Sequence, residues 1–215
     1  MTADVDGTEA TTPTIDGAGA QITRREQMKA DRRRQLLDAA ARLIAERGFL
    51  GVRLEDLGSA AGISGPAVYR HFPNKDAVLV ELLVGISTRL FEGGSLVAAE
   101  ATSPDAALEG LIDFHLDFAL GEPDLIRIQD RDLESLPADA RREVRQTQRR
   151  YVEIWVKVLL QVDSSLDETD ARTKAHATFG LINSTPHSAD PATPSRTRKV
   201  LRDMTFSCLR PVSTS

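Results

Sequence analysis

The stretch GISGPAVYRHFPNK, residues 62–75, concentrates side chains suited to binding an anion. Tyr69, Arg70 and His71 stand in a row, and Lys75 follows four residues after the last of them. Phenol, guanidinium and imidazole groups all donate hydrogen bonds to phosphate oxygens, which take most protein–DNA hydrogen bonds. Lys75 stands in the first turn of a predicted helix, where a cation opposes the helix dipole. A phosphate at the same terminus would relieve this conflict, so we predict a phosphate contact for Lys75.

Small residues come directly before this polar row. Gly65 and Ala67 leave the start of a short predicted helix, residues 65–72, nearly bare, with Ser64 as its N-cap and Pro66 tolerated in its first turn. A recognition helix enters the DNA major groove with its N-terminal end, and small side chains let that end approach the base edges. We therefore expect Gly65 and Ala67 to approach the bases and the polar row to lie near flanking phosphates.

Further helices are predicted on both sides of this one. Apolar residues recur at helical spacing over residues 36–44, and Gly48 is predicted to end that helix as a left-handed cap. They recur again over residues 54–61, and a longer helix starts after Pro73 with Asn74 as its predicted N-cap. Two short helices separated by Gly62 describe a helix-turn-helix inside a small bundle. Phe72 is assigned to the core of that bundle, and core packing is also the alternative for Tyr69.

The net charge of −5 argues at first against a nucleic-acid partner, but the charges are unevenly distributed. Residues 21–80 carry eleven Arg or Lys against seven Asp or Glu, whereas the segments on either side are acidic. A basic segment in an acidic chain indicates a local anionic partner; the alternative is an ordinary solvated helix face. Residues 1–22 are predicted to be a disordered tail, and Arg24 and Arg25 a flexible basic arm that follows the DNA.

The composition fits a soluble globular protein, because 41% of the 215 residues are hydrophobic and 27% are charged. Cys208 is the only cysteine, so no disulfide framework is predicted. No signal peptide is visible, and no stretch approaches the about 20 apolar residues of a membrane span. We expect a cytoplasmic protein without a membrane partner.

Residues 39–83, AAARLIAERGFLGVRLEDLGSAAGISGPAVYRHFPNKDAVLVELL, resemble the DNA-binding domain of the TetR family of transcriptional regulators. The shared features are a Gly-Phe turn after the first helix, a two-helix motif through residues 61–64, and a Tyr-x-His-Phe-x-x-Lys signature over residues 69–75. Arg53 departs from the pattern, since a capping Thr or Ser is usual there, and is predicted to reach a phosphate directly. Gly58 stands where Ala is usual and is predicted to cost its helix about 1 kcal/mol.

The resemblance implies an all-α homodimer that binds a palindromic operator and releases it when a small molecule enters the second domain. It implies phosphate contacts for Tyr69, His71 and Lys75, positions near the bases for residues 64–68, and a dimer interface through the last two helices. We accordingly expect a three-helix helix-turn-helix DNA-binding domain over residues 23–74. A larger helical ligand-binding and dimerisation domain is expected over residues 75–215.

The larger domain is predicted to contain helices over residues 104–120, 123–136, 137–162 and 167–184, the second of them broken, and a last helix after a Pro- and Ser-rich connection, residues 185–195. Small Ala171 and Ala175 are predicted to permit close helix approach at the dimer interface. Arg127 and Arg131 lie four apart on one helix face. They are predicted either to meet an anionic ligand or to pair with neighbouring acids, Asp130 and Glu134.

His115 is the main polar candidate for a ligand pocket, because it lies on an apolar stripe beside Phe114 and Phe118. The alternative is a core histidine with satisfied hydrogen bonds. The predicted pocket is completed by Phe91, Phe114, Phe118, Arg127 and Trp155. Core packing is the alternative for Trp155, and pairing at the surface is the alternative for Arg127.

The sequence gives weaker support for two other function classes, an enzyme and an architectural DNA-binding protein. For an enzyme, no metal-ligand spacing, nucleophile elbow or Gly-rich phosphate loop is present, although His115 and His176 leave a weak metal site open. A purely architectural DNA-binding protein would not need the long second domain. The sequence predicts a ligand-responsive regulator, most simply a repressor, with no cofactor. Its expected effector is a hydrophobic molecule, either a fatty acyl thioester or a planar drug-like compound.

Overall fold

The computed structural model describes residues 24–189 and 192–209, and every regular element in that part of the chain is helical, which confirms the all-α prediction. The described α-helices are α1 (Arg24–Arg47), α2 (Leu54–Ala60), α3 (Gly65–Val68), α4 (Lys75–Glu100), α5 (Pro104–Gly121), α6 (Pro123–Asp132), α7 (Ala138–Val162), α8 (Glu168–Ile182), α9 (Thr185–Ser188) and α10 (Pro194–Leu209). A 3₁₀ turn, Leu133–Ser135, follows α6.

The first helix is longer than the apolar pattern predicted. α1 begins at Arg24, so the prediction that Arg24 and Arg25 form a flexible arm before the helix is wrong. The stretch consists of good helix formers without Gly or Pro, and helix propensity extends α1 beyond its apolar stripe. Gly48 follows the helix with a φ of 82°, the predicted left-handed cap. The tail predicted for residues 1–22 lies outside the described residues.

Two apolar cores hold the helices together, and α4 contributes to both. The first core joins α1, α2, α3 and the N-terminal half of α4 to α6 through buried residues such as Phe72, Leu79 and Ile128. The second core joins α5, α7, α8 and α10 around Leu111 and Trp155, with the C-terminal half of α4 packed against it. Among the described helices, α4 has the length and apolar composition to cross a membrane, a test that core helices of soluble proteins also pass.

The helices after α5 follow the predicted order with small differences. α6 ends at Asp132 in the 3₁₀ turn, which is the predicted break. The connection predicted over residues 185–195 contains the single turn of α9, and α10 already begins within it. Ala171 and Ala175 are fully buried in the second core of the same chain. The prediction that they face a dimer partner is therefore wrong, because they lie on the inner side of α8.

Candidate DNA-binding surface and effector cavity

Glycine sets the geometry of the helix-turn-helix. Gly62, in the turn between α2 and α3, has a φ of 68°, which glycine adopts without strain. Gly58 is buried on α2, and a Cβ atom there would overlap the side chain of Val68 on α3. Gly58 thus does more than weaken its helix, since it lets α2 and α3 approach closely.

The recognition helix is one turn shorter than predicted. α3 ends at Val68, and residues 69–71 form a tighter turn in which the backbone N–H groups of Arg70 and His71 bond the carbonyl oxygen three residues back. Ser64 stands at the predicted N-cap position, but its side chain accepts no capping hydrogen bond. Its hydroxyl is exposed and is available to an outside partner.

Most side chains predicted to contact DNA are accessible to solvent. The exposed ones are Arg53, Ser64, Pro66, Tyr69 and Arg70, and the half-buried ones are Gly65, Ala67, His71 and Lys75. Tyr69 leaves 51% of its surface in water, so core packing does not explain this aromatic residue.

Tyr69 has a partner within the motif that sequence reasoning missed. Its hydroxyl donates to Glu55 Oε1 at 2.7 Å, which links the turn after α3 to the start of α2. This hydrogen bond lowers the pKa of Glu55 and raises the pKa of Tyr69. The phenol carries one donor, so a hydrogen bond from Tyr69 to a phosphate requires its release from Glu55.

Lys75 also has a partner within the protein. Its Nζ donates to the carbonyl oxygen of Phe49 at 2.7 Å and lies 4.3 Å from the centroid of the Phe49 ring. These contacts stabilise the cation whose position in the first turn of α4 otherwise opposes the helix dipole. The ammonium group has three donors, so a phosphate contact stays open to it. Asn74 caps α4 as predicted, accepting from the backbone N–H of Ala77 at 2.8 Å.

His71 is held by α1. The Arg33 guanidinium donates to the backbone oxygen of His71 and lies 4.1 Å from the centroid of the Phe72 ring. Burial, followed by the nearby positive charge of Arg33, lowers the pKa of His71. A neutral imidazole can offer a phosphate a hydrogen bond but no full charge.

A cavity of about 200 Å³ lies in the larger helical region. Side chains from five helices, α4 to α8, line it: Ser87, Leu90, His115, Phe118, Ile126, Gln129, Gln148, Tyr151, Val152, His176, Phe179 and Asn183. The lining is apolar and aromatic with a few polar groups, which is the usual composition of a small-molecule site.

A hydrogen-bonded chain crosses the wall of this cavity. His115 Nε2 lies 3.0 Å from Asn183 Oδ1, an acceptor, so this nitrogen carries the proton. The Tyr151 hydroxyl therefore donates to His115 Nδ1 at 3.3 Å. Burial lowers the pKa of His115 to about 4, so its ring is neutral at neutral pH. His115 thus has satisfied hydrogen bonds, as in the core alternative, and also lines the cavity, as in the pocket prediction.

The end of α6 is attached to the DNA-binding bundle. The Arg131 guanidinium donates to the carbonyl oxygens of Ile44 and Ala45 in the last turn of α1, the second at 3.2 Å. Asp132, whose side chain is 8% exposed, accepts from Arg131 Nε at 3.1 Å and from the backbone N–H of Phe49 at 3.3 Å. We call this pair the α6 clamp. It ties a helix that lines the cavity to the helix that precedes the helix-turn-helix.

Two family models match the chain in these two regions. Residues 36–82 match the model described as bacterial regulatory proteins, tetR family, and residues 101–188 match the tetracyclin repressor-like C-terminal domain. The chain belongs to the TetR family. Membership confirms the predicted resemblance and the architecture of an N-terminal helix-turn-helix with a larger helical domain.

Similar TetR proteins include characterised regulators. The chain is 30% identical over 132 residues to the HTH-type transcriptional repressor KstR2 of Rhodococcus jostii, an alignment over 61% of this chain and 65% of that relative, just under two thirds of its length. The structure of the ketosteroid transcriptional regulator KstR2 of Mycobacterium tuberculosis is similar with a TM-score of 0.73 and 22% identity, covering 83% of this chain and 93% of that one. FadR from Bacillus subtilis, in complex with stearoyl-CoA, has a TM-score of 0.59 and 22% identity, covering 82% and 95%.

In this TetR structure, the predicted pocket residues lie in different places. Phe118 and His115 line the cavity. Trp155 is fully buried behind it, with its ring centroid 5.1 Å from that of Phe179. Phe91 lies outside the cavity under the Arg150 guanidinium, and Phe114 packs against Gly93 of α4, where a Cβ atom would overlap its ring.

The predicted arginines also lie outside the cavity. Arg127 pairs with Asp124 at 3.2 Å and donates to the carbonyl oxygen of Pro186 at 2.6 Å. Arg131 belongs to the α6 clamp. Both arginines thus have partners within the protein, as in the surface alternative, but the partners differ from the predicted Asp130 and Glu134.

Sequence reasoning missed Tyr151 and Asn183 as cavity residues. Asn183 follows the last turn of α8, 68 residues from His115, and no sequence spacing relates the two. Tyr151 lies on the apolar stripe of α7, and Gly94 of α4 accommodates its ring, since a Cβ atom there would overlap it. His176 lines the cavity with His115, but no group of three metal-ligating side chains exists among the described residues.

Proposed function

We propose that this TetR protein is a ligand-responsive transcriptional repressor that binds a palindromic DNA operator as a homodimer. The observation that carries the proposal is the accessible surface of the helix-turn-helix, where Arg53, Tyr69 and Arg70 are exposed beside a recognition helix of small residues. Cations and hydrogen-bond donors around a bare helix terminus suit phosphate contacts around a base-reading end. We expect the protein to act in the cytoplasm, as a regulator rather than an enzyme, without a cofactor.

The dimer is proposed to form through α8 and α10. Val200 and Met204 of α10 are 49% and 47% exposed, and with Leu181 of α8 they line a groove between the two helices. Exposed large apolar side chains in one groove favour a protein partner. A two-fold dimer of this kind would set the two recognition helices about 34–36 Å apart, or a multiple of it. Cys208, exposed on α10, would pack in or beside this interface.

The effector is proposed to be a hydrophobic small molecule, a fatty acyl thioester or a planar compound, that enters the cavity between α4 and α8. Similarity to a stearoyl-CoA-binding regulator supports the first alternative, and the aromatic rings around His115 support the second. The cavity volume of about 200 Å³ is below the roughly 300–1,000 Å³ of small-molecule sites. Such a ligand would have to push the lining helices apart.

Separation of the lining helices would couple effector binding to the DNA-binding bundle. Ser87 and Leu90 place α4 at the cavity, and Ile126 and Gln129 place α6 there. Since α4 continues directly from the helix-turn-helix and α6 holds α1 through the clamp, a widened cavity would move both attachments of the DNA-binding bundle. We propose that effector binding changes the spacing of the two recognition helices in this way and releases the operator.

Selection from a random duplex library would test the DNA-binding role. We expect the wild-type protein to enrich a palindrome, and Arg70→Ala to bind that palindrome at least tenfold more weakly in fluorescence anisotropy. Arg142→Ala is the matched control, because Arg142 is exposed on α7, far along the chain from the helix-turn-helix, and should bind as tightly as wild type. Failure to enrich any sequence, or equal binding by Arg70→Ala, would contradict the proposal.

A further inference from the structure

The cavity is uncharged along its whole described lining. None of the side chains around it is a Lys, Arg, Asp or Glu. Of the arginines adjacent in sequence to lining residues, Arg89 pairs with Glu122, Arg127 donates to the carbonyl oxygen of Pro186, and Arg150 lies over the Phe91 ring outside the cavity. Arg149, which follows Gln148 on α7, is exposed to solvent. His115 offers no positive charge, because burial keeps its ring neutral at neutral pH. His176 lies at the solvent-exposed edge of the lining.

The polar side chains of the cavity differ in whether they already have hydrogen-bond partners within the protein. Tyr151, His115 and Asn183 are already joined in one hydrogen-bonded chain. The Ser87 hydroxyl donates to the backbone oxygen of Leu83 at 2.8 Å. In contrast, the side-chain amides of Gln129 and Gln148 are half-buried at the cavity and have no hydrogen-bond partner among the described residues.

These two amides approach the same space from different helices, Gln129 from α6 and Gln148 from α7. Half-buried polar groups without a protein partner require water or a ligand atom to satisfy them. Each amide carries two N–H donors, and a carbonyl oxygen has two lone pairs to accept them. A carboxylate would lose its hydration here without meeting a cation, which disfavours its entry.

We propose that the cavity recognises an uncharged carbonyl group, a ketone, ester or thioester, through the side-chain amides of Gln129 and Gln148, and that it discriminates against a free carboxylate. The inference rests on the proposed effector-binding role of the cavity and specifies the chemistry of the end of the effector that is buried there. It also assigns Gln129 and Gln148 as specificity-determining residues.

The test uses three probes that share one nonyl chain: 2-undecanone, methyl decanoate and decanoate. Trp155 is the only tryptophan of the chain and packs against the cavity-lining Phe179, so its fluorescence reports binding directly. At pH 7.5 we expect the ketone and the ester to bind at least tenfold more tightly than decanoate. Gln129→Leu and Gln148→Leu should each weaken ketone binding by about three- to tenfold, the value of one hydrogen bond.

Gln146→Leu is the matched control, because Gln146 lies on the same helix as Gln148 but is exposed and away from the cavity. It should bind all three probes as wild type does, and thermal unfolding would verify that each variant is folded. Equal or tighter binding of decanoate, unchanged ketone binding in both cavity variants, or no ketone or ester binding at the solubility limit would each overturn the inference. Operator affinity of the unliganded protein is measured on the same samples: if it is intact, the proposed DNA-binding role stands independently of these outcomes.

Discussion

Removing the charge of the α6 clamp should lower both the free energy of unfolding and the effect of effector on operator affinity. In Asp132→Asn, the amide oxygen still accepts from the backbone N–H of Phe49, but the charge that pairs with Arg131 is lost. Asp132→Ala also leaves the Phe49 N–H without its partner. Because the Asp132 side chain is 8% exposed and that of Arg131 is 44% exposed, the pair is half-buried rather than fully desolvated. We expect the free energy of unfolding to fall by about 1–2 kcal/mol in Asp132→Asn and by about 2–4 kcal/mol in Asp132→Ala.

Urea unfolding followed by Trp155 fluorescence measures this loss as a lower midpoint at an unchanged slope. Asp139→Asn is the control: Asp139 forms an exposed pair with Arg142 in the first turn of α7, and its loss should lower the midpoint far less than the loss of Asp132 does. The same variants test coupling. Typical coupling free energies of about 1–3 kcal/mol correspond to a roughly 5–150-fold effect of effector on operator affinity. Asp132→Asn should reduce that factor to below about threefold while it retains operator binding. A clamp variant with wild-type midpoint and wild-type release would refute the role of α6 in the connection.

Three other predictions concern the motif and the cavity. Tyr69→Phe and Lys75→Ala should each weaken operator binding. In a dimer, Lys75→Ala should also flatten the slope of log affinity against log salt concentration by about two units, measured by anisotropy over a salt series. An unchanged slope would leave Lys75 with its structural contact to Phe49 alone. Gly58→Ala should lower the thermal midpoint, because the new Cβ atom would overlap Val68, whereas Gly85→Ala, where nothing lies within 4 Å of the new Cβ atom, should not. The folded-state pKa of His115, about 4, lies below its unfolded value of about 6.5, so the unfolded state gains a proton first as the pH falls. The free energy of unfolding should therefore be highest above pH 6.5 and fall by about 3 kcal/mol between pH 6.5 and pH 4. Urea midpoints measured over this pH range should decline less in His115→Gln than in wild type, and parallel curves would contradict this origin.

The sequence was most informative where structure is set by local chemistry. Asn74, Gly48 and Gly62 act through their own backbone conformation or a hydrogen bond three residues away, and each was predicted correctly. The start of α1 was predicted wrongly because the apolar stripe marks the buried part of a helix rather than its full length. From the sequence, Gly58 appeared only to lower the stability of its helix. The contact with Val68, which is distant in sequence, explains why a glycine is needed there.

The cavity could be predicted only in outline. Periodicity identifies an apolar stripe on a helix, but it does not tell which members of the stripe face a neighbour and which face a cavity. His115 finds its partners 36 and 68 residues away, at Tyr151 and Asn183, and no sequence spacing relates the three. Phe114 and Trp155 share apolar stripes with cavity residues but pack into the surrounding core, and periodicity could not distinguish them from the residues that line the cavity. Trp155→Ala would consequently test stability more than ligand binding, at a cost of about 3–5 kcal/mol.

The most direct test of the account is the operator affinity of wild type and Phe118→Ala, each with and without a ligand that co-purifies with the protein and is identified by native mass spectrometry. Phe118 lines the cavity without being fully buried and lies on α5, outside the helix-turn-helix, so its truncation alters the ligand site directly. We predict that both proteins bind the operator equally without ligand, and that saturating ligand weakens wild-type binding at least fivefold but leaves Phe118→Ala bound. Equal release of the operator from both proteins would contradict the account, because the effector would then act from a site other than this cavity.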